Sequence, residues 1–190
     1  SMPPPVRTPP RSMTVIPLAW CTPLANRLKI REITLFAMLG AMTFAAKYAM
    51  SGLPNIEPVS LMVMVFACVF GKKSAYPIGV YVMMEFLFYG LGFWNFIYLY
   101  IWAILAAAAY PLRGMENRLG WALLSGTFGL LFGALCAPVD LVVGGPALAL
   151  SRWVSGIPFD IAHCIGNFVI ALVLFPPVRS LTEKLSKQIL

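Results

Sequence analysis

Charged side chains are scarce in this sequence. Aspartate, glutamate, lysine and arginine make up 11% of its 190 residues, whereas 60% of the residues are hydrophobic. An ordinary globular domain contains about 25% charged residues, so this chain has too few to cover a water-exposed surface. The composition therefore excludes a typical soluble domain and predicts an integral membrane protein.

Several catalytic signatures are also absent. No G-x-x-x-x-G-K-[ST] segment occurs, which excludes ATP hydrolysis by this chain. The four cysteines show no CxxC or metal-ligand spacing, so we expect neither a disulfide framework, nor a metal site, nor a bound cofactor. Ser125 and His163 could supply the nucleophile and base of a membrane protease, but Leu123 stands where a rhomboid-type site has glycine. The sequence predicts a protein that is not an enzyme.

Six apolar segments, bounded by charge, glycine or proline, follow a terminal stretch rich in proline and arginine. Residues 1–26 are expected to be a flexible tail or an expression scar, and residues 27–190 to be the membrane domain. About 20 apolar residues cross a bilayer, and we therefore predict an all-α bundle of six transmembrane helices. The predicted segments are Ile33–Met50, Val59–Phe70, Ala75–Gly92, Phe93–Leu112, Gly120–Ala137 and Pro158–Phe175.

Two parts of this pattern are irregular. The second segment reaches only about 18 Å at about 1.5 Å per residue, so part of the preceding SGLPNIEP stretch is expected to dip into the bilayer beside it. Between the fifth and sixth segments we predict a short interfacial or re-entrant helix around residues 147–154 instead of a seventh crossing.

The basic residues predict the orientation. With a cytoplasmic N terminus, all of the 14 basic residues except Lys47 and Arg152 fall on the inner side, as the positive-inside rule requires. An even number of crossings places the C terminus in the cytoplasm as well. The net charge of +7 is thus explained by orientation in a prokaryotic plasma membrane, and we expect no nucleic-acid partner.

Glu85 lies near the middle of the third segment, where a carboxylate is costly unless it faces a cavity or a partner. Two interpretations remain open: a hydrogen bond to a neighbouring helix, or a position in the wall of a ligand cavity. Tyr81 and Tyr89 lie four residues before and after Glu85 and share its helical face. They would line the same wall.

The fourth segment carries an aromatic stripe, because Trp94, Tyr98 and Trp102 are spaced by four residues, with Asn95 one position round. An interfacial belt would explain Trp94. Trp102 lies about 12 Å deeper along a helix, so the stripe is either a pocket wall or a lipid-facing or packing surface.

In the sixth segment, Asp160, His163 and Asn167 are spaced to share one helical face. Three polar groups on one face of a membrane helix rarely face lipid, although a single histidine often bonds to another helix. Asn55 and Glu57 lie in the first outer loop, between two prolines that stiffen it, and we expect this loop to close over a ligand. The predicted substrate-binding residues are Asn55, Glu57, Glu85, Tyr89, Trp94, Asn95, Tyr98, Trp102, Asp160, His163 and Asn167.

Two further stripes consist of small residues, which allow helices to approach closely in a membrane. Ala37, Ala41 and Ala45 repeat along the first segment and could face another subunit. Gly126, Gly129 and Gly133, followed by Ala137, repeat along the fifth, which we expect to pack inside the bundle.

The segments AMLGAMTFA, GLPNIEPVSL and SGIPFDIAHCIGNF, in a chain with six apolar segments, resemble the substrate-binding S components of energy-coupling factor vitamin transporters. The resemblance extends from Arg27 onward, and the last two stretches are similar to the cobalamin-specific branch. It implies a six-helix receptor that binds a vitamin on its outer face and associates with a transmembrane coupling subunit and two ATPase subunits. It also implies that Ala37, Ala41 and Ala45 contact the coupling subunit.

The charged residues of the outer half limit the class of ligand that is expected. The outer half carries more acidic than basic residues, so a polyanionic ligand would be repelled. A large, amide-rich ligand that is neutral or cationic fits better, and a corrinoid has that character. His163 would donate or accept an amide hydrogen bond or, less simply, approach cobalt. The alternatives are a smaller cationic or neutral aromatic vitamin held by ring contacts, and a free-standing channel or membrane assembly protein.

Overall fold

A computed structural model describes residues 28–52, 56 and 58–190, with only the backbone at Phe93 and Trp94. All regular structure in these residues is helical, which confirms the predicted all-α class for this part of the chain. The main helices are α1 (Ile30–Ala49), α2 (Val59–Phe70), α3 (Ala75–Tyr89), α4 (Phe93–Ala109), α5 (Arg118–Leu130) and α6 (Phe132–Ile189); 3-10 turns follow α2 and α4.

Three segments are long and apolar enough to cross a membrane: Val59–Tyr89, Asn95–Leu112 and Arg118–Ile189. The first contains α2 and α3, and the last contains α5 and α6. Such helices are those expected of a membrane protein.

Helices α5 and α6 form a hairpin that turns at Gly145, inside α6. One arm is α5 with the part of α6 before Gly145, and the returning arm is the part of α6 after it. The φ of Gly145 is 73°, in the left-handed region that glycine adopts without steric cost, and Pro146 begins the returning arm. The arms are antiparallel, since Gly126 packs against Phe168, Gly129 against the backbone of His163, and Gly133 against Asp160. The separate short helix predicted at residues 147–154 is wrong, because these residues are the first turns of the helical arm that continues to Ile189.

Helices that follow one another along the chain alternate in direction. Ring contacts run in the same order along α1 and α3 and in opposite order along α3 and α4. As a result, basic residues from the starts of α1, α3 and α5 gather with those from the ends of α2, α4 and α6. This basic end comprises Lys29, Arg31, Lys72, Lys73, Arg113, Arg118, Arg179, Lys184 and Lys187.

Helix α2 lies at the centre of the bundle, and its bounds are those predicted from the sequence. It is about 18 Å long, whereas α4 extends for about 26 Å. Gly71, after the end of α2, lies beside Tyr110 at the basic end, so α2 begins partway through the bundle. The opposite half is enclosed by α1, α3, α4 and the α5–α6 hairpin, and it contains most of the predicted site.

Candidate functional site

Glu85 is paired with Lys47. The Lys47 Nζ atom lies 2.9 Å from Glu85 Oε1 and 3.1 Å from the hydroxyl oxygen of Tyr98, and the Glu85 side chain is 2% exposed. Of the two interpretations left open for Glu85, the bond to a neighbouring helix is therefore present. Lys47 was not predicted as the partner, although it is the sole lysine expected at this end and could have been matched to a buried carboxylate.

The predicted aromatic wall assembles around this ion pair. The ring of Trp102 lies 5.5 Å from the ring of Tyr98 and 5.9 Å from the ring of Tyr81. Trp102 is fully buried, so it packs inside the bundle and a lipid-facing position for it is wrong. Tyr89 is half exposed, with its ring 5.9 Å from the Lys47 Nζ atom.

Asn95 is buried and its side chain donates a hydrogen bond to the carbonyl oxygen of Gly90. This bond closes the turn between α3 and α4. Asn95 therefore shapes the end of the aromatic wall.

Asp160, His163 and Asn167 are all buried. Asp160 Oδ1 accepts a hydrogen bond of 3.0 Å from the backbone N–H of Gly133. Asn167 Nδ2 donates to Ser60 Oγ at 3.1 Å and is 3.4 Å from the carbonyl oxygen of Ser125. Asp160 thus joins the two arms of the hairpin, and Asn167 joins α6 to α2 and α5. This is the structural role that polar groups often have in membrane bundles.

His163 differs from its two neighbours. Its Nε2 atom has no hydrogen-bond partner among the described residues, although the side chain is buried. Its ring lies 4.9 Å from that of Phe132, which in turn lies 6.3 Å from the ring of Trp102. Phe132 therefore lies close both to the predicted aromatic wall and to His163. It is an apolar residue among apolar residues, and no sequence signal distinguished it.

Four buried polar atoms in this region lack partners among the described residues. They are Trp102 Nε1, Ser125 Oγ, His163 Nε2 and Asn167 Oδ1. Buried polar atoms are nearly always hydrogen-bonded to protein, water or ligand. This interior is thus suited to a ligand, or to ordered water, that supplies both donors and acceptors.

A cavity of about 480 Å³ opens between the two arms of the hairpin, beside His163 and Asp160. Its volume lies within the range of about 300–1,000 Å³ that is usual for small-molecule sites. Arg152 and Asp140, which also line it, are joined by a hydrogen-bonded ion pair of 2.7 Å. The charges at its mouth therefore cancel.

Three predicted residues cannot be placed. Asn55 and Glu57 lie outside the described residues, as does the tail of residues 1–26, and the side chain of Trp94 is likewise not described. The first outer loop thus stays a prediction.

The two small-residue stripes occupy different surroundings. Ala37 and Ala45 are exposed and Ala41 is partly exposed, so this stripe faces outward from the bundle. A Cβ atom built on Gly129 would lie 2.7 Å from the carbonyl oxygen of His163. The glycine stripe of α5 therefore packs closely against the returning arm of the hairpin, whereas Leu123 and Leu130 on the other side of α5 are about half exposed.

Comparison with known proteins gave no match: no family model, no curated protein and no solved structure is similar to this chain.

Proposed function

We propose that this chain is the substrate-binding subunit of an energy-coupling-factor importer in a prokaryotic plasma membrane. In this proposal six helices cross the bilayer, both termini are cytoplasmic, and the basic end faces inward, in accord with the positive-inside rule. The alternating helix directions and the gathering of basic residues at one end support this topology. The resemblance of the sequence to S components supports the function.

The observation that carries the proposal is the pair of unpartnered nitrogens in His163 and Trp102, whose rings both lie near that of Phe132. His163 Nε2 belongs to the polar face of the sixth segment and Trp102 Nε1 to the aromatic wall, and both are buried without a partner among the described residues. A protein of purely structural role would be stabilised by satisfying or removing such groups. A receptor instead retains them for its ligand.

The charges of this half favour a ligand without strong negative charge. Lys47 is paired with Glu85, and Arg152 is paired with Asp140, so neither cation would clamp a polyanion without losing its acidic partner. Aromatic rings provide apolar contacts, and the unpartnered atoms provide hydrogen bonds to amides. A corrinoid meets these requirements, and because it is larger than the cavity, its binding would require the hairpin arms or the first outer loop to move.

The partners in this proposal are a transmembrane coupling subunit and two ATPase subunits. The outward-facing stripe of Ala37, Ala41 and Ala45 supports a contact of this kind, because small side chains allow another helix to approach closely.

The test is identification of the ligand and of the partners. The protein is purified from a vitamin-replete host, and the small molecules that it retains are identified by mass spectrometry. We expect a corrinoid, and we expect two nucleotide-binding subunits to co-purify from the native membrane. If neither a vitamin nor such subunits are recovered, the chain is not an S component, and a channel or an assembly protein becomes the better interpretation.

A second candidate ligand is a smaller cationic aromatic vitamin. The buried carboxylate of Glu85 and the rings of Tyr81 and Tyr98 favour it, since a cation is attracted to aromatic faces. Titration with cobalamin, cobinamide and a cationic vitamin such as thiamine separates the two candidates. Saturable binding of thiamine without binding of either corrinoid would show that the ligand is the cationic vitamin and not a corrinoid.

A further inference from the structure

The cavity of about 480 Å³ in the hairpin lies between two contacts that join the arms. On one side of it, the backbone N–H of Gly133 donates to Asp160, and on the other side Arg152 is paired with Asp140. All four residues line the cavity. Arg152 and Asp160 are eight positions apart on the returning arm, so the gap between the two contacts is about 12 Å long at about 1.5 Å per residue.

Two residues with little or no side chain lie opposite each other in this gap. The register set by the two contacts places Gly156 opposite Cys136, and both line the cavity. A Cβ atom at Gly156 would meet nothing within 4 Å. Trp153 and Phe159 line the cavity as well, although they are about half exposed, so they lie at its edge. The gap is therefore a slot with largely apolar sides that can admit one substituent of a larger ligand.

The end of the slot farther from the hairpin tip carries two buried polar side chains. His163 is 3% exposed, and its Nε2 atom has no hydrogen-bond partner in the part of the chain that the structure describes. Asp160 is 7% exposed and forms no ion pair with any described residue. Its carboxylate is held by the N–H of Gly133, at which a Cβ atom would collide with that carboxylate. A group in the slot would thus meet a fixed carboxylate and an unpartnered imidazole nitrogen.

These two side chains select the polar group that fits beside them. An ionised carboxylate only accepts hydrogen bonds, whereas a neutral imidazole nitrogen either donates or accepts one. A primary carboxamide has two N–H donors and a carbonyl acceptor, so it can donate to Asp160 and bond to His163 in either tautomer. A carboxylate on the ligand would offer Asp160 no donor and would place two negative charges together.

We propose that the slot between Gly156 and Cys136 binds one primary carboxamide of the ligand, with the amide at Asp160 and His163 and the attached chain or ring between the apolar sides. Gly156 is then a specificity-determining residue, because a large side chain at this position would fill the slot. This inference rests on the proposed function, since it names the part of the ligand that enters the hairpin. It favours an amide-rich ligand over a cationic one.

Three small molecules with the same ring test the slot. Benzamide, benzoate and benzylamine carry a neutral amide, an anion and a cation, respectively. Each is titrated without vitamin into the purified full chain in detergent, and saturation-transfer NMR measures its binding. We expect saturable binding of benzamide and at least tenfold weaker binding of benzoate. Benzylamine should bind no better than benzamide, since an ion pair barely offsets the hydration that a buried ammonium loses.

Two of the possible results would overturn the assignment. Tighter binding of benzylamine than of benzamide would show that the slot is a site for cations. Equal binding of all three molecules would show that the polar group is not recognised.

Variants of two residues locate the bound amide. H163F removes the Nε2 atom and should weaken benzamide binding by about fivefold, the effect of one lost hydrogen bond. G156L should abolish binding, because its side chain occupies the slot. The matched control G79L adds the same side chain on α3, outside the hairpin, where a Cβ atom also meets nothing within 4 Å. It should bind benzamide as the parent does.

Thermal unfolding shows which variants are folded, and H163F provides the test if G156L is not. Unchanged benzamide binding in folded G156L, or in H163F, would show that the amide lies elsewhere and would overturn the slot. Equal losses in G156L and G79L would indicate a general effect of the added side chain and would also overturn it.

The slot and the proposed function fail separately. Recovery of a corrinoid and of ATPase subunits, without selective binding of benzamide, would leave the proposed function in place and overturn the slot. Selective binding of benzamide, without any recovered vitamin or subunits, would support the slot and overturn the assignment as an importer subunit.

Discussion

The ammonium of Lys47 in α1 lies 2.9 Å from the carboxylate of Glu85 in α3, and this ion pair joins two parallel helices inside the bundle. Glu85 is almost completely removed from solvent. A charge at such a depth is tolerated because the opposite charge lies beside it. The pair therefore fixes the register of α1 against α3.

Removing one member of this pair should destabilise the protein more than removing both. We expect K47M or E85Q alone to lower the free energy of unfolding by about 3 kcal/mol, because a single buried charge or amide is left without its partner. The double variant should recover part of this loss. A double-mutant cycle by denaturant unfolding in detergent measures the coupling, and additive losses would show that the pair is not coupled.

The close approach of Gly129 to the opposite arm predicts a strong effect of a single methyl group. In G129A the new Cβ atom would meet backbone atoms of His163 and Cys164 at 2.7–2.9 Å, and the arms would have to separate. Such overpacking costs about 1–3 kcal/mol. The control G156A lies in the same hairpin, where a Cβ atom meets nothing within 4 Å, and it should be neutral or stabilising. Thermal unfolding of both variants checks this, and equal stabilities would contradict the packing.

His163 and Asn167 should respond differently to apolar substitution. N167L removes the hydrogen bonds to Ser60 and Ser125, so we expect a loss of about 1–3 kcal/mol of stability. H163F replaces a ring whose Nε2 atom has no described partner, so stability should change little while corrinoid affinity falls at least tenfold. Calorimetric titration with cobalamin, alongside unfolding measurements, distinguishes the two roles. An H163F protein that binds as well as the parent would remove His163 from the site.

The outward-facing alanine stripe predicts a variant that binds but does not transport. A41W should leave folding and ligand binding intact while it abolishes uptake, because a bulky ring prevents a partner helix from approaching. L123W, on an exposed position of α5, is the matched control and should transport normally. Uptake of labelled cobalamin by cells measures both, and full uptake by A41W would show that the stripe is not the docking surface.

Glu32, at the start of α1, predicts a pH dependence at the basic end. Hydrogen bonds from the Lys73 ammonium and from the backbone N–H of Lys29 hold the pKa of Glu32 below its ordinary value. A lowered pKa in the folded state means that the stabilisation is fully present above the unfolded pKa, about 4.3, and is lost as the pH falls through the folded pKa. Stability should thus decline on acidification below about pH 4.3, and E32Q should decline less steeply. Parallel curves for the two proteins would exclude this contribution.

Much of the helical architecture could be predicted, because glycine, proline and charge mark where apolar segments end. The bounds of α2 follow from Pro58 on one side and from Gly71 with two lysines on the other. The path of the chain around Gly145 could not be predicted, for a physical reason. The pattern Gly-Gly-Pro indicates a break in a helix, but it does not show that the chain resumes a helix at once in the opposite direction.

The site was only partly predictable. Periodicity placed Asp160, His163 and Asn167 on one buried face, since helical spacing is a local property. The Lys47–Glu85 pair depends on how α1 and α3 lie against each other, and the surroundings of Phe132 depend on how α4 packs against both arms of the hairpin. Such long-range packing leaves no local signature in the sequence.

The ion pair at the tip of the hairpin has a consequence for biosynthesis. Asp140 and Arg152 are the two charged residues between Leu131 and Phe159, and they neutralise each other at 2.7 Å. In the proposed topology this tip must be translocated through the bilayer. Moving one elementary charge across a membrane potential changes the free energy by about 2.3 kcal/mol per 100 mV. Moving a tip with one positive and one negative charge requires no net electrical work. If the ion pair forms before insertion, the membrane potential therefore neither favours nor opposes entry of the hairpin tip, whichever side of the membrane is negative.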